Sequence, residues 1–267
     1  MPERAINKID LNKSEQLILS IRLRADGFSF TIYHPLDEQV RASVYKEAEL
    51  SLTFIANLKQ VFSESNFLTR PYKQVDIIAE STRFTALPLN LFDEKQTEFI
   101  FAYNHLKREN ETILHNVLKK HNMALIFGMD EYAHQFLTKQ YSHRASFYSQ
   151  VTPLIDYFST IGEEENILSK KMYLYLHEKY IDICCLGYKR IIYLNSFECK
   201  HTEDCLYYAL HLWKQIGFNQ KADDLYFAGT MPDKKKLIKE LKRYILNVRT
   251  MDSGDNVFYE RALFQFH

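Results

Sequence analysis

The chain has 267 residues, and its 34 lysines and arginines balance 34 aspartates and glutamates. That length can bury one large core or two smaller ones. The balanced charge gives no global pull toward nucleic acid or an anionic membrane. No apolar run approaches the roughly 18 residues of a membrane span, so no direct membrane insertion is expected. The first residues, MPERAINKIDLNKSEQ, lack the apolar core of a signal peptide. The four cysteines, Cys184, Cys185, Cys199 and Cys205, read as reduced thiols of a cytoplasmic protein. Only seven glycines occur, few for a chain that would cradle phosphates on backbone N–H groups.

Leu17, Leu19, Ile21 and Leu23 alternate with Ile18, Ser20, Arg22 and Arg24, which predicts a strand with one apolar face. Asp26-Gly27 predicts a type I′ hairpin turn. Phe28, Phe30 and Ile32 make the second strand, and Val40, Ala42 and Val44 the third. The period then lengthens. Leu50, Phe54, Leu58 and Val61 predict an amphipathic helix of about 17 residues, with Asn66 and Pro71 at its exit. Val75–Glu80, VDIIAE, has the uninterrupted apolar character of a buried parallel strand. Asp93–Asn104 predicts a helix capped by Asp93, with Phe99 and Tyr103 on one face. Thr112–Lys119 and Met123–Met129 flank a hairpin turn, and a helix follows from Asp130 to Tyr141. Ala145–Gln150 returns to the main sheet, Pro153–Ile161 forms a helix, and Glu163 to Asn166 make a polar hinge.

The same order then recurs. Met172, Leu174 and Leu176 alternate with Tyr173, Tyr175 and His177, and Tyr180–Leu186 and Arg190–Leu194 supply two more strands. Leu206, Leu210, Trp213 and Ile216 stripe a helix, with Gly217 where a left-handed C-terminal residue belongs. Asp224–Ala228 is the fourth strand. Leu17 to Met172 is an offset of 155, while Val40 to Arg190 and Val75 to Leu225 are offsets of 150. Five elements in one order at nearly one spacing predict an internal duplication.

A strand-strand-strand-helix-strand unit used twice resembles the actin-like ATPase fold. The hairpin LSIRLRADGFSF and the turn Phe227-Ala228-Gly229-Thr230-Met231-Pro232 resemble a Bacteroidetes domain-of-unknown-function family with a degenerate form of that fold. The inserts resemble the cytoplasmic assembly proteins of type IV pili and type II secretion. The resemblance implies an α/β fold of duplicated actin-like (ribonuclease H-like) lobes, each with a mixed five-stranded sheet and helices, around a central cleft. Residues 1–162 would form the first lobe, with a subdomain inserted at about 106–143. Residues 163–267 would form the second lobe and a C-terminal tail.

Intact members of that superfamily bind ATP with Mg²⁺ through two hairpins and a glycine-rich turn. Their first strand carries Asp, any residue, Gly, then hydroxyls. Here it reads Leu19-Ser20-Ile21-Arg22-Leu23-Arg24, with neither carboxylate nor glycine. Asp26-Gly27 lies in the reverse turn and reads as a turn-former. The second hairpin, Tyr173 to Lys179, has tyrosines where backbone should approach phosphate, and Glu178 reads as an exposed turn residue rather than a metal ligand. The third element, the Gly229 turn, keeps one glycine of a usual pair, and Thr230 and Asp233 also match a capping-box spacing. The nucleotide site is therefore expected to be degenerate, with no catalytic residue, metal or cofactor assigned. The cofactor-site candidates are Gly229, Thr230 and Glu80, at the carboxyl ends of strands where α/β ligands sit, facing the cleft from opposite lobes. The expected function is non-catalytic binding of a protein or ligand. The alternative is an ATP-binding phosphotransferase or ATPase with unusual loops.

Cys199-x-His201-x3-Cys205 contains possible zinc ligands but no CxxC spacing, and Cys184 and Cys185 face opposite sides of a strand. Lys234, Lys235, Lys236, Lys239, Lys242 and Arg243 make the solvated side of a helix whose other side is Leu237, Ile238, Leu241 and Ile245. The tail from Val257 to Phe266 is apolar and alternating, so Phe258, Phe264 and Phe266 are expected to be buried, as an edge strand or at a self-interface.

Overall fold

The structure, a computed structural model, describes residues 11–36, 40–164, 169–188, 190–251 and 262. These residues divide into two compact units, one within 11–118 and 123–150, the other within 119–122 and 151–262.

The first unit opens with the meander β1 (Ile18–Arg24), β2 (Gly27–Tyr33) and β3 (Val40–Glu47). After helix α1 (Phe54–Glu64), strand β4 (Gln74–Ala79) pairs parallel to β1. Strand β5 (Phe84–Pro88), helix α2 (Thr97–Asn104), the hairpin β6 (Glu111–Leu118) and β7 (Met123–Asp130), and helix α3 (Glu131–Tyr141) intervene before β8 (Ala145–Ser149). The main sheet has the order β3-β2-β1-β4-β8, and β5-β7-β6 form a small separate sheet. Leu19, Ile21 and Leu23 share one face with Phe28, Phe30, Ile32, Val75 and Ile77, all buried. Phe54 and Leu58 of α1 belong to the same packing, with Phe54 meeting Phe28 at 5.3 Å between ring centroids.

The second unit begins with helix α4 (Val151–Glu164), whose backbone continues through Glu163 and Glu164; residues 165 and 166 of the expected hinge lie outside the described residues. It then repeats the plan: β9 (Lys171–Leu176), β10 (Tyr180–Gly187), β11 (Arg190–Glu198), helix α5 (Thr202–Gln215), β12 (Asp224–Gly229), helix α6 (Lys234–Leu241) and β13 (Asn247–Thr250). The order β11-β10-β9-β12-β13 is the first sheet's order strand for strand, with β9 and β12 parallel like β1 and β4. The registers make the equivalence exact to the residue: Leu23 pairs with Ala79, and Leu176 with Gly229. The first strand is thus offset by 153 rather than 155, and the fourth by 150. Its core packs Met172, Leu174, Leu176 and Ile183 against Ala209, Leu212 and Trp213 of α5 and Leu237 and Leu241 of α6. Gly217, at φ +72°, ends α5 as its sequence position predicts, and the Phe218 N–H donates to Trp213 O at 2.9 Å.

Several local expectations are corrected. The β1–β2 loop is Ala25-Asp26, neither with positive φ, and Gly27 already belongs to β2. Gly27 is required there by space, since a Cβ would lie 2.4 Å from Lys46 O. Phe99 and Tyr103 share one face of α2 as expected, but that face is exposed, and the helix's buried ring is Phe101. Strands β5 and β13 have no counterpart in the sequence reading. The apolar tail lies outside the described residues except for Ala262, which is helical and fully buried.

Helix α1 starts at Phe54, with Thr53 as cap, and Leu50 is fully exposed. The reason is Asn57. Its buried amide accepts from Glu49 N at 2.7 Å and donates to Glu49 O at 3.0 Å and Thr53 O at 3.2 Å, which holds residues 49–53 in a loop. Asn57→Ala should lower the melting temperature by roughly 4–8 °C, about 2 kcal/mol of lost buried hydrogen bonding. Gln60→Ala, which removes only exposed contacts, should change it by less than about 2 °C. Differential scanning calorimetry of the two variants checks this, and equal shifts would refute the role given to Asn57.

Candidate functional site

Parallel strands leave their carboxyl ends side by side, and in α/β sheets ligands sit beyond those ends. In the first unit these are the ends of β1 and β4. The Glu80 N–H donates to Leu23 O at 3.0 Å, carrying the ladder one step past the strand. The Glu80 carboxylate is 4% exposed and meets Arg22 Nη2 at 2.7 Å and Arg24 Nε at 3.9 Å. Arg24 also forks onto Asp26, at 2.9 and 3.1 Å, and lies over the Tyr45 ring. Burial opposes the Arg24 charge, but Glu80 and Asp26 outweigh it and hold its pKa above the ordinary value.

The loop after β4 is fixed by one amide. Gln150 accepts from Ser81 N at 3.0 Å and donates to Ser81 O at 2.6 Å. Arg83 then forks onto Glu111, at 2.9 and 2.8 Å, donates to Leu106 O at 2.6 Å, and stacks over Phe101. Burial pushes the Glu111 carboxyl up, but the Arg83 fork and the Arg108 N–H pull it further down, so its pKa lies below the usual range. A Cβ on Gly128 would stand 2.3 Å from Glu111 Oε1, so this glycine leaves room for the ion pair. Of these, Arg24, Glu80, Ser81, Arg83, Glu111 and Gly128 line an open cavity of about 260 Å³, with Leu23, Phe54 and Met129 as its apolar wall. Two ion pairs, Arg24–Glu80 and Arg83–Glu111, belong to its lining, which suits a mixed polar and apolar ligand better than a bare anion.

In the second unit the equivalent ends are those of β9 and β12. The Thr230 N–H donates to Leu176 O at 3.0 Å, the same bond that Glu80 makes to Leu23. Glu80 and Thr230 are therefore equivalent residues, as are Ala79 and Gly229. Gly229 has φ +76°, and a Cβ there would lie 2.2 Å from Leu176 O, so its identity is explained by backbone crowding. Its carbonyl accepts from Lys234 Nζ at 2.7 Å. The capping-box reading of Thr230 and Asp233 is overturned: Asp233 is left-handed, at φ +57°, with no side-chain cap bond, whereas a capping residue is extended.

The turn after β9 is filled by its own side chains. His177 stacks on Tyr180 at 3.8 Å and meets Asp182 at 2.8 Å, while Asp182 also accepts from Ser196. Beneath it, Tyr173 stacks between Phe158 and Tyr226. Arg22 and Arg24 of the first unit occupy the positions of Tyr175 and His177, so one half carries charge where the other carries rings. Neither set was assigned a role by sequence: alternation marks Arg22 and Arg24 as a polar face but cannot show that Glu80 lies under them.

Two other clusters bring together chemistry-bearing side chains. His121 bonds Asp156 and lies 3.5 Å from Ser159 Oγ, a serine-histidine-aspartate composition. Ser159 is buried and one helical turn from Asp156, and 3.5 Å is long for an activated nucleophile, so the trio reads as a structural latch. Of the suggested zinc ligands, His201 is used in the capping box that starts α5, and Cys199 and Cys205 are buried, with the Cys199 thiol donating to Phe197 O at 3.5 Å. Burial pushes the Cys184 thiol up to about 12 and raises that of Cys185 well above normal. All four cysteines are free, and no cluster of three metal-ligating groups occurs among the described residues.

The chain belongs to the family described as "Protein of unknown function (DUF3822)", whose model matches residues 6–248. A crystal structure from Bacteroides thetaiotaomicron, described as a protein with actin-like ATPase fold and unknown function, is 48% identical, with a TM-score of 0.89 over 96% of this chain and 98% of that one. At the level of fold alone the chain is similar to a PilM–PilN type IV pilus biogenesis complex (9% identity, TM-score 0.55, 93% and 97% covered). It is also similar to the cytoplasmic domain of EpsL, an inner membrane component of the Vibrio cholerae type II secretion system (11% identity, TM-score 0.50, 93% of both chains). No curated protein matches. The duplicated actin-like fold is thus established, and no helix among the described residues is long and apolar enough to cross a membrane.

Gly229→Ala should cost more than about 2 kcal/mol, from strain at positive φ and the clash with Leu176 O. The reciprocal Ala79→Gly should cost about 1 kcal/mol or less. Urea titration of each variant measures both, and equal costs would show that the two strand ends are not distinguished as described. Glu111 gives a second test. Its native pKa is lowered, so its stabilising contribution is complete above the unfolded carboxyl's pKa of about 4.3 and is lost as pH falls below that through the native value. Glu111→Gln should therefore flatten the fall of stability below about pH 4.5 without changing its dependence between pH 6 and 8.

Proposed function

We propose that this protein is a cytoplasmic, non-catalytic actin-like module that recognises a protein partner or a small mixed-polarity ligand. The observation that carries the reading is the state of its two hairpin turns. Asp26 is engaged by Arg24, and His177 by Tyr180 and Asp182, where a phosphate-binding hairpin needs glycine and unfilled N–H groups. The cavity at Glu80 and Arg83 supports ligand recognition in the first unit. Glu80, Gly229 and Thr230 remain the proposed contact positions at the strand ends. Gly229 is weakened as a ligand contact because Leu176 already accounts for it. The free, buried cysteines suit a reducing compartment. Two proteins of similar fold are described within pilus and secretion systems, which supports a protein partner here. The apolar segment from Val257 to Phe266 is a second proposed contact, with a partner or with another copy.

Isothermal titration calorimetry and thermal shift with Mg-ATP test the reading. No heat and no shift are expected at millimolar nucleotide. A ligand at a hundred times its Kd would add about 2.7 kcal/mol, several degrees of melting temperature. A shift of that size, abolished by Gly229→Trp in a variant that still folds, would overturn the non-catalytic reading in favour of an ATP-dependent phosphotransferase or ATPase.

A further inference from the structure

The two main sheets end in different kinds of edge. Strand β3 carries Arg41, Lys46 and Glu47 along its length, the usual protection of an edge. Strand β11, RIIYLNSFE, has nine residues, and its only charges are Arg190 at one end and Glu198 at the other. Every residue from Ile191 to Phe197 retains some exposure, and Ile192 is 45% exposed. Among the described residues no strand pairs with its outer side.

The backbone there presents N–H groups outward, one of them held by a neighbouring side chain. A bulge sits at Ile192, between the pairs Leu186–Ile191 and Cys185–Tyr193, and from Tyr193 to Glu198 the register is regular. The Ser196 N–H is taken by the adjacent Asn195 side chain, at 2.9 Å. By the two-residue alternation of antiparallel ladders, the N–H groups of Leu194, Ser196 and Glu198 then face outward. Beside the edge, Tyr208 stacks on Phe197 at 4.4 Å and the exposed Tyr207 packs on Tyr208, so the apolar surface continues onto α5.

We propose that β11 is a homodimer interface, where it pairs antiparallel with β11 of a second copy to make one continuous sheet. The charge pattern selects this occupant. Antiparallel self-pairing brings the Arg190 end of each strand against the Glu198 end of the other, twice by symmetry, while a parallel arrangement would set like charges together. The aromatic surface on α5 adds area that a backbone ladder alone would lack. This interface is independent of the ligand reading and of the C-terminal tail.

Sedimentation velocity of the full chain at 1–100 µM tests it. The wild type should show a concentration-dependent dimer. Leu194→Pro, which removes an outward N–H and no bond to β10, should leave a monomer with native circular dichroism. Glu198→Arg should weaken the dimer by on the order of tenfold, and Arg190→Glu with Glu198→Arg should restore it, a rescue that misfolding cannot mimic. Deleting residues 252–267 should leave the dimer intact. A wild type that stays monomeric at 100 µM, a dimer indifferent to the β11 changes, or a dimer lost only with the tail would each overturn the proposal.

Discussion

The structure depends on one repeated constraint: a central strand that pairs antiparallel on one side and parallel on the other. β1 and β9 both do this, and each is buried along nearly its whole length. A strand in that position must satisfy its hydrogen bonds on both sides and its packing on both faces. A one-residue slip would turn Leu19, Ile21 and Leu23, or Met172, Leu174 and Leu176, away from the helices. The bond that carries each parallel ladder past its last pair, from Glu80 to Leu23 and from Thr230 to Leu176, places the next loop. Glu80 and Ser81 enter the candidate site from there.

Given the same scaffold twice, the halves fill it differently. The first unit puts arginines and carboxylates at its strand ends and satisfies them in pairs. The second puts a histidine, an aspartate and a layer of rings there. Both solutions are expensive to disturb in part, because removing one member of a buried pair strands the other. Each end is therefore preorganised. Such a surface suits recognition of a fixed shape more than the opening and closing that turnover requires.

The fold was legible because its signal lies in periods. Alternation in β1, β2 and β9, the lengthened period of α5, and the order of elements are properties of the sequence alone. What was hidden depended on long-range partners. Nothing local says that Asn57 would hold residues 49–53 out of helix α1, or that Phe101 would turn inward while Phe99 and Tyr103 faced solvent. β13, NVRT, has one large apolar residue and is a strand only because β12 offers it a parallel partner. The site was legible only as positions. Glu80 and Gly229 stand at strand ends as their spacing implies, but Arg83 and Glu111 are 28 residues apart and meet only through the small sheet. Asp26-Gly27 and Thr230-to-Asp233 matched local motifs whose geometry the neighbouring backbone does not adopt.

The distribution of sulfur has a practical consequence. All four cysteines belong to the second unit, two in β10, one in the loop after β11 and one at the start of α5, and all are buried. Alkylating reagents must reach the sulfur, so thiols shut away by burial stay silent until the surrounding structure opens. The first unit contains no cysteine at all. The rate at which the native protein consumes iodoacetamide is therefore a built-in clock for the breathing of one half, blind to the other, with no label to introduce and no residue to replace.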